Sequence, residues 1–255
     1  MSSWALVTGA TAGIGESFSR LLAANKYNLV LVARDLPRLQ ERAQALEAKF
    51  GIKTHVIQAD LATDAGCLTV EKHIAENQID VLINNAGFGT SKAFTMSTLE
   101  IEQQLLDVLV RTPMRLMHVA LPLMKERNNG VIINVSSVAG YIAGGSYSAS
   151  KSYLTVLSES LNTELSATNV KVSALCPGFT RTEFHQRGKM SMKALPNFMW
   201  LNSDRLVEQS WKDALKGEAV SVPGWQYKLL VFVVQTLPRS IVRKVGMNLR
   251  AKQRK

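Results

Sequence analysis

Tyr147 and Lys151 stand one helical turn apart, and of the five tyrosines only Tyr147 has a lysine at that offset. A spacing of four puts phenol and ammonium on one helix face. A free phenol titrates near pH ~10. A cation ~4 Å away contributes ~4 kcal/mol at an effective dielectric of ~20, which lowers that value by about three units. A phenol so tuned can protonate a carbonyl oxygen and take the proton back from an alcohol. Taken alone, such a pair is more often a surface contact, so its meaning rests on the rest of the chain.

Upstream, the apolar run Trp4-Ala5-Leu6-Val7 leads into Thr8-Gly9-Ala10-Thr11-Ala12-Gly13-Ile14-Gly15. Glycines at 9, 13 and 15 let the backbone turn tightly and approach a pyrophosphate, whose charge meets free N–H groups at the following helix N-terminus. Thr11 adds a hydroxyl, and Ile14 lies in the same turn. At the end of the second strand, where a carboxylate would hold a ribose lacking a 2′-phosphate, the chain has Arg34 followed by Asp35. A guanidinium there can clamp that phosphate, which favours NADP(H) over NAD(H). The competing reading is a solvated arginine paired with the charged helix that follows. Ala12 offers no second cation.

These residues need a scaffold, and strand-like and helix-like stretches alternate to about residue 222. Strands are expected at Trp4–Val7, Leu29–Val32, Lys53–Ala59, Val81–Ile83, Val131–Val135, Val170–Leu175 and Ala219–Val222. Helices are expected after the glycine turn to Asn25, at Leu36–Phe50, from a Ser97–Glu100 capping box toward Met124 with a bend or break at Pro113, and at Tyr147–Ala167. The pattern predicts an α/β fold, a doubly wound Rossmann-type parallel sheet of about seven strands with helices on both faces. A ligand then belongs at the carboxyl ends of the strands.

Composition narrows the function classes. The net charge of +10 suggests nucleic acid until mapped: residues 239–255 hold seven cations and no acid, which leaves 23 basic against 20 acidic side chains elsewhere. No nucleic-acid partner is expected. Cys67 and Cys176 lie far apart, and the four histidines form no pair at ligand spacing, so neither a disulfide framework nor a metal site is expected. Met1-Ser2-Ser3-Trp4 runs into a strand without signal-peptide features, and a cytoplasmic location is expected.

The chain carries, in order, Thr8-Gly-x-x-x-Gly-x-Gly, Asp60-Leu61, Asn84-Asn85-Ala86-Gly87, Ser136-Ser137, Tyr147-x-x-x-Lys151 and Pro177-Gly178. In this it resembles a short-chain dehydrogenase/reductase of the single-domain type, over about residues 4–222. The resemblance implies that Asp60 and Leu61 hold the adenine, that Asn85, Ala86 and Gly87 line the cofactor cleft, and that Pro177, Gly178, Thr180 and Thr182 meet the nicotinamide end. It implies that Tyr147 is the acid/base, that Lys151 tunes it and bonds the cofactor ribose, and that Ser137, with Ser136 as fallback, steadies the substrate oxygen. It further implies a homodimer or homotetramer pairing the helices near 99–124 and 147–167. Two departures stand out. Ser137 and Tyr147 are only ten residues apart, and Leu109 occupies the place of an asparagine that anchors a water chain to the lysine.

The expected activity is therefore NADP(H)-dependent interconversion of a carbonyl and a secondary or primary alcohol. Alternatives are a catalytically weak dinucleotide sensor or scaffold, and a peripheral membrane protein using the basic tail. Residues 1–222 are expected to form the catalytic domain, with a substrate lid at about 179–211, and 223–255 an apolar then basic extension. The lid carries Phe184, Met190, Met192, Leu195, Phe198, Met199, Trp200 and Leu201, which suit a small apolar substrate or simply pack the lid. Leu229–Val234 is too short to span a bilayer. It either covers the body, the preferred reading, or makes a weak contact with a membrane surface.

Overall fold

A computed structural model describes residues 3–90, 92–188 and 195–244. Among them seven strands form one all-parallel sheet in the order β3-β2-β1-β4-β5-β6-β7. In chain order the elements are β1 (Trp4–Thr8), α1 (Gly13–Ala24), β2 (Asn28–Ala33), α2 (Leu36–Phe50), β3 (Thr54–Gln58), α3 (Asp64–Glu76), β4 (Val81–Asn84), α4 (Leu99–Leu106), α5 (Thr112–Glu126), β5 (Gly130–Val135), α6 (Ser146–Glu164), β6 (Val170–Leu175), α7 (Phe184–Arg187), α8 (Ser203–Leu215), β7 (Val220–Ser221) and α9 (Trp225–Thr236). The doubly wound fold expected from the alternation is the one observed.

Alternate side chains of each central strand enter two cores. Val7, Leu29, Leu31 and Ile83 pack with α1, α2 and α8 on one face. Leu6, Val30, Val32 and Leu82 pack with α3, α5 and α6 on the other. Burial on both faces explains why these strands read as continuous apolar runs. The winding reverses between β1 and β4, which opens a crevice at their carboxyl ends, the switch point where open α/β sheets take ligands.

Several local expectations need correction. Ser97 and Glu100 make no capping box: Thr98 is the N-cap of α4, and Glu100 is held below the usual carboxylate range by its own backbone N–H and the Thr98 hydroxyl. The long helix from there is interrupted by a π-helical turn at Asp107–Arg111. Pro113 sits just after it, in the first turn of α5. Helix α3 went unforeseen because its buried face is only Gly66, Cys67, Val70 and Ile74 among polar neighbours. The stretch expected to form a lid extends to Trp211, but its far end is α8, which buries Leu206, Val207 and Trp211 in the core. Met190 and Met192 lie outside the described residues, as does the tail beyond Lys244.

Candidate active site

The crevice is built from backbone and small side chains. Gly9 and Gly13 have φ of +66° and +58°, left-handed values that glycine adopts without strain. A Cβ on Gly15 would lie 2.3 Å from the Gly9 carbonyl oxygen, so the turn closes only with glycine there. Ala12 is the N-cap of α1 and no side chain caps it, so the first-turn N–H groups face the crevice as an anion cradle. Thr11 is buried beside them. The cradle fits the diphosphate of a dinucleotide in shape and in charge.

Thr8 and Asn85 lock the two sides of the switch point. The Thr8 hydroxyl accepts from the Asn85 and Ala86 N–H groups at 2.9 and 3.0 Å. The Asn85 amide in turn donates to the Thr8 and Gly9 carbonyls at 2.8 and 3.2 Å. Thr8 was not anticipated as a site residue, although its hydroxyl could have been suspected from its place at the strand end. Asp60 accepts from the Ala62 N–H at 3.1 Å, and the Leu61 carbonyl accepts from the Thr112 hydroxyl at 2.7 Å, so both are set in place after β3. Arg34 is exposed just past β2. Four residues on, Arg38 bridges to Glu183 at 2.6 and 3.1 Å, which draws the Glu183 carboxyl down to about 2.

Lys151 is buried on α6, and its Nζ donates to the Val135 carbonyl at 2.6 Å. That Nζ lies 5.7 Å from the centre of the Tyr147 ring. Burial pushes the ammonium down to about 8, so at neutral pH it remains mostly charged. A cation held there favours the ionised form of a neighbouring phenol. The structure thus brings Tyr147 and Lys151 together as the sequence predicted.

The two serines separate by role. The Ser136 hydroxyl is buried and donates to the Lys151 carbonyl at 2.7 Å beside Thr155 Oγ1, which ties β5 to α6. Ser137 is less buried; its hydroxyl accepts from the Ala139 N–H at 3.1 Å and lies 3.4 Å from the Pro177 carbonyl.

Beneath Lys151 lies a polar network that the sequence did not disclose. The Ser158 hydroxyl donates to the Leu154 carbonyl at 2.6 Å and so accepts from Asn134 Nδ2 at 2.8 Å. Asn134 Oδ1 then accepts from Asn84 Nδ2 at 2.8 Å, a sequence of bonds that fixes the Asn84 amide. Asn84 Oδ1 is left buried without a partner among the described residues. Asn84, Leu109, Pro113, Val135 and Lys151 are among the residues lining a cavity with about 10 Å³ open to the centre of a water molecule. Leu109 is buried there, its side chain 2.8 Å from where a Gly87 Cβ would stand. Pro113, four residues on, has no N–H to bond the Leu109 carbonyl.

The segment that follows β6 carries a cap of rings. Gly13 would place a Cβ 3.0 Å from the Thr182 side chain, so this segment rests on the glycine turn. The Thr180 hydroxyl donates to the Gly178 carbonyl, and Thr182 Oγ1 accepts from the Phe184 N–H. Phe184 stands 6.0 Å from the Tyr147 ring, while Phe179, His185 and Trp200 cluster behind it. Tyr227 of α9 is fully buried against Gly178; a Cβ there would lie 2.0 Å from its ring. Its hydroxyl accepts from the Phe179 N–H at 3.0 Å and donates to the Met199 carbonyl at 2.6 Å, and burial pushes it up to about 12. The expected extension from 223 onward is therefore fastened to the body through α9.

Comparison with known proteins agrees with this geometry. A relative in Myxococcus xanthus, described only as an uncharacterised oxidoreductase, is 30% identical over 96% of this chain and 97% of its own. The 17-beta-hydroxysteroid dehydrogenase type 3 of Mus musculus is 28% identical over 94% of this chain and 78% of its own. A short-chain dehydrogenase from Sphingobium yanoikuyae, solved in complex with NADPH, superposes with a TM-score of 0.84 at 32% identity, covering 91% of this chain and 93% of that one. The family model for short chain dehydrogenases matches residues 3–192, and this chain belongs to that oxidoreductase family.

Proposed function

We propose that the chain is an NADP(H)-dependent oxidoreductase that interconverts an apolar ketone or aldehyde and its alcohol. The observation that carries this reading is the buried Lys151 ammonium, anchored on the Val135 carbonyl and set 5.7 Å from the Tyr147 ring. A nicotinamide, when bound, would supply or receive the hydride. Tyr147 gives its proton to the developing alkoxide, Lys151 makes that phenol acidic enough and bonds the cofactor ribose, and Ser137 donates to the same oxygen. Asp60 and Leu61 hold the adenine, Asn85, Ala86 and Gly87 line the cofactor cleft, and Pro177, Gly178, Thr180 and Thr182 meet the nicotinamide end.

NADP(H) over NAD(H) is supported by Arg34 at the end of β2 and by the NADPH bound to the Sphingobium relative. An apolar substrate is supported by Phe184 beside Tyr147 and by the ring cluster behind it. In place of the asparagine that Leu109 replaces, Asn84 Oδ1 and Lys151 Nζ hold a water in the cavity they share, which resupplies the proton. Exposed Leu106, Met114, Tyr153 and Val156 on α4, α5 and α6 suit a homodimer through those helices. Two buried thiols, Cys67 and Cys176, suit the reducing cytoplasm.

The test is oxidation of NADPH and of NADH across a panel of apolar ketones and aldehydes. NADPH should be preferred with at least one of them. No turnover with either cofactor contradicts the activity, and a preference for NADH contradicts the cofactor assignment.

A further inference from the structure

Helix α9 is apolar on two sides, and only one of them is used by the fold. Tyr227 and Val231, four apart, face the body and are buried. Trp225, Leu229, Phe232 and Val233 recur at i, i+4, i+7 and i+8, and are 72%, 56%, 64% and 40% exposed. Phe198 of the cap, 64% exposed, adjoins this face, since Gln226 donates to its carbonyl at 3.1 Å. An uninterrupted apolar run reads the same whether one side or two are covered, so only the structure separates them.

Charge says what covers the free side. Residues 219–255 hold Lys228, Arg239, Arg243, Lys244, Arg250, Lys252, Arg254 and Lys255 and no acidic residue. The rest of the chain, with 22 basic and all 20 acidic side chains, is nearly balanced. Residues 239–244 are helical, and Arg239, Arg243 and Lys244 are exposed. These three form one wall of a cleft of about 700 Å³ whose other wall is residues 140–145 and the first turn of α6. That turn has Gly145 as its N-cap with no side chain capping it, so its N–H groups add to the positive field. A two-fold pairing of this face with a second copy would set like charges against each other. A surface that is both negative and apolar complements it.

We propose that α9 and the basic segment after it dock on an anionic lipid bilayer, with Trp225, Leu229, Phe232 and Val233 entering the interface and Arg239, Arg243 and Lys244 meeting lipid phosphates. The docking is peripheral: among the described residues no helix is long and apolar enough to cross a membrane. Tyr227 and Gln226 tie the same helix to Phe179, Phe198 and Met199. Docking therefore sets the cap against the acyl region, where apolar carbonyl substrates partition; this consequence alone rests on the activity proposed above.

The test is flotation of the full chain with vesicles of phosphatidylcholine, alone or with phosphatidylglycerol, in low and high salt. The chain should float with the anionic vesicles, and its affinity should fall at least roughly tenfold on neutral ones or in high salt. Phe232→Glu and, separately, Arg239→Glu with Arg243→Glu should each lower the affinity to a similar extent while NADPH-dependent reduction of a water-soluble ketone is unchanged. A wild-type chain that stays unbound, or variants that float like wild type, would overturn the proposal. So would a Phe232→Glu variant of half the solution mass by light scattering, since a second copy would then cover the face. Release from the vesicles by millimolar inorganic phosphate at constant ionic strength would overturn it as well, by showing a site for a soluble ligand. Failure of the ketone assay with vesicle binding intact refutes the activity and leaves the docking standing.

Discussion

The β1–β4 crevice and the cap over it meet where Thr182 rests on Gly13, yet they are built from different materials. In the crevice, glycine backbone, Thr8 and Asn85 leave no room for an added methyl group, as the position of Gly15 against the Gly9 carbonyl makes plain. In the cap, the rings of Phe179, Phe184 and Trp200 gather around that of His185, and a single hydroxyl on α9 holds two backbone groups. The difference teaches where each property resides. The crevice is shaped by backbone that an added methyl group would block, whereas the cap is shaped by side chains that can be exchanged one at a time.

The largest expected effect breaks the crevice side of the comparison. Lys151→Met removes the buried charge that tunes Tyr147, and turnover should fall by roughly 10²–10⁴. The same variant sharpens a point about stability. Because burial lowers the folded-state value of Lys151 to about 8, the unfolded chain retains a proton that the folded chain has lost between pH ~8 and ~10.4. Stability from this group is therefore lowest below pH 8 and rises as pH climbs through that window, by an amount on the order of 3 kcal/mol. Urea melts at several pH values should show the rise in wild type and not in Lys151→Met.

On the cap side, Tyr227→Phe leaves the Phe179 N–H and the Met199 carbonyl without their partner. A loss of about 1–3 kcal/mol is expected in thermal or chemical melts. KM for an apolar ketone should rise more than kcat falls, because the cap shapes binding and the crevice does the chemistry. Equal losses in both would erase the distinction drawn here. Smaller still, Arg34→Ala should raise KM for NADPH several-fold and leave KM for NADH nearly unchanged. The smallest effects concern the cavity below Lys151. Leu109→Asn should raise turnover modestly, and Asn84→Ala should lower it while shifting the high-pH limb of the rate profile.

The same contrast governs what could be read from the sequence. Strands buried on both faces announce themselves as short apolar runs, and the glycines of the turn declare a backbone that needs room, so the sheet and the crevice were legible. Helix α3 was not, since Cys67, Val70 and Ile74 are too few among polar residues to set a period. The cap was misjudged at its far end because α8 buries Trp211 against the sheet, a partnership that no local pattern reveals. Arg38 with Glu183, 145 residues away, and Tyr227 with Phe179 depend on tertiary folding in the same way. Asn84 lay in a motif already singled out, but its orphaned oxygen depends on Asn134, its register partner on β5.

The proton-transfer assignment can be met head on by comparing wild type with Tyr147→Phe at saturating NADPH and an apolar ketone, with cofactor affinity followed by fluorescence. The account predicts turnover lower by roughly 10²–10⁴ with NADPH binding unchanged. Turnover equal to that of wild type would contradict it.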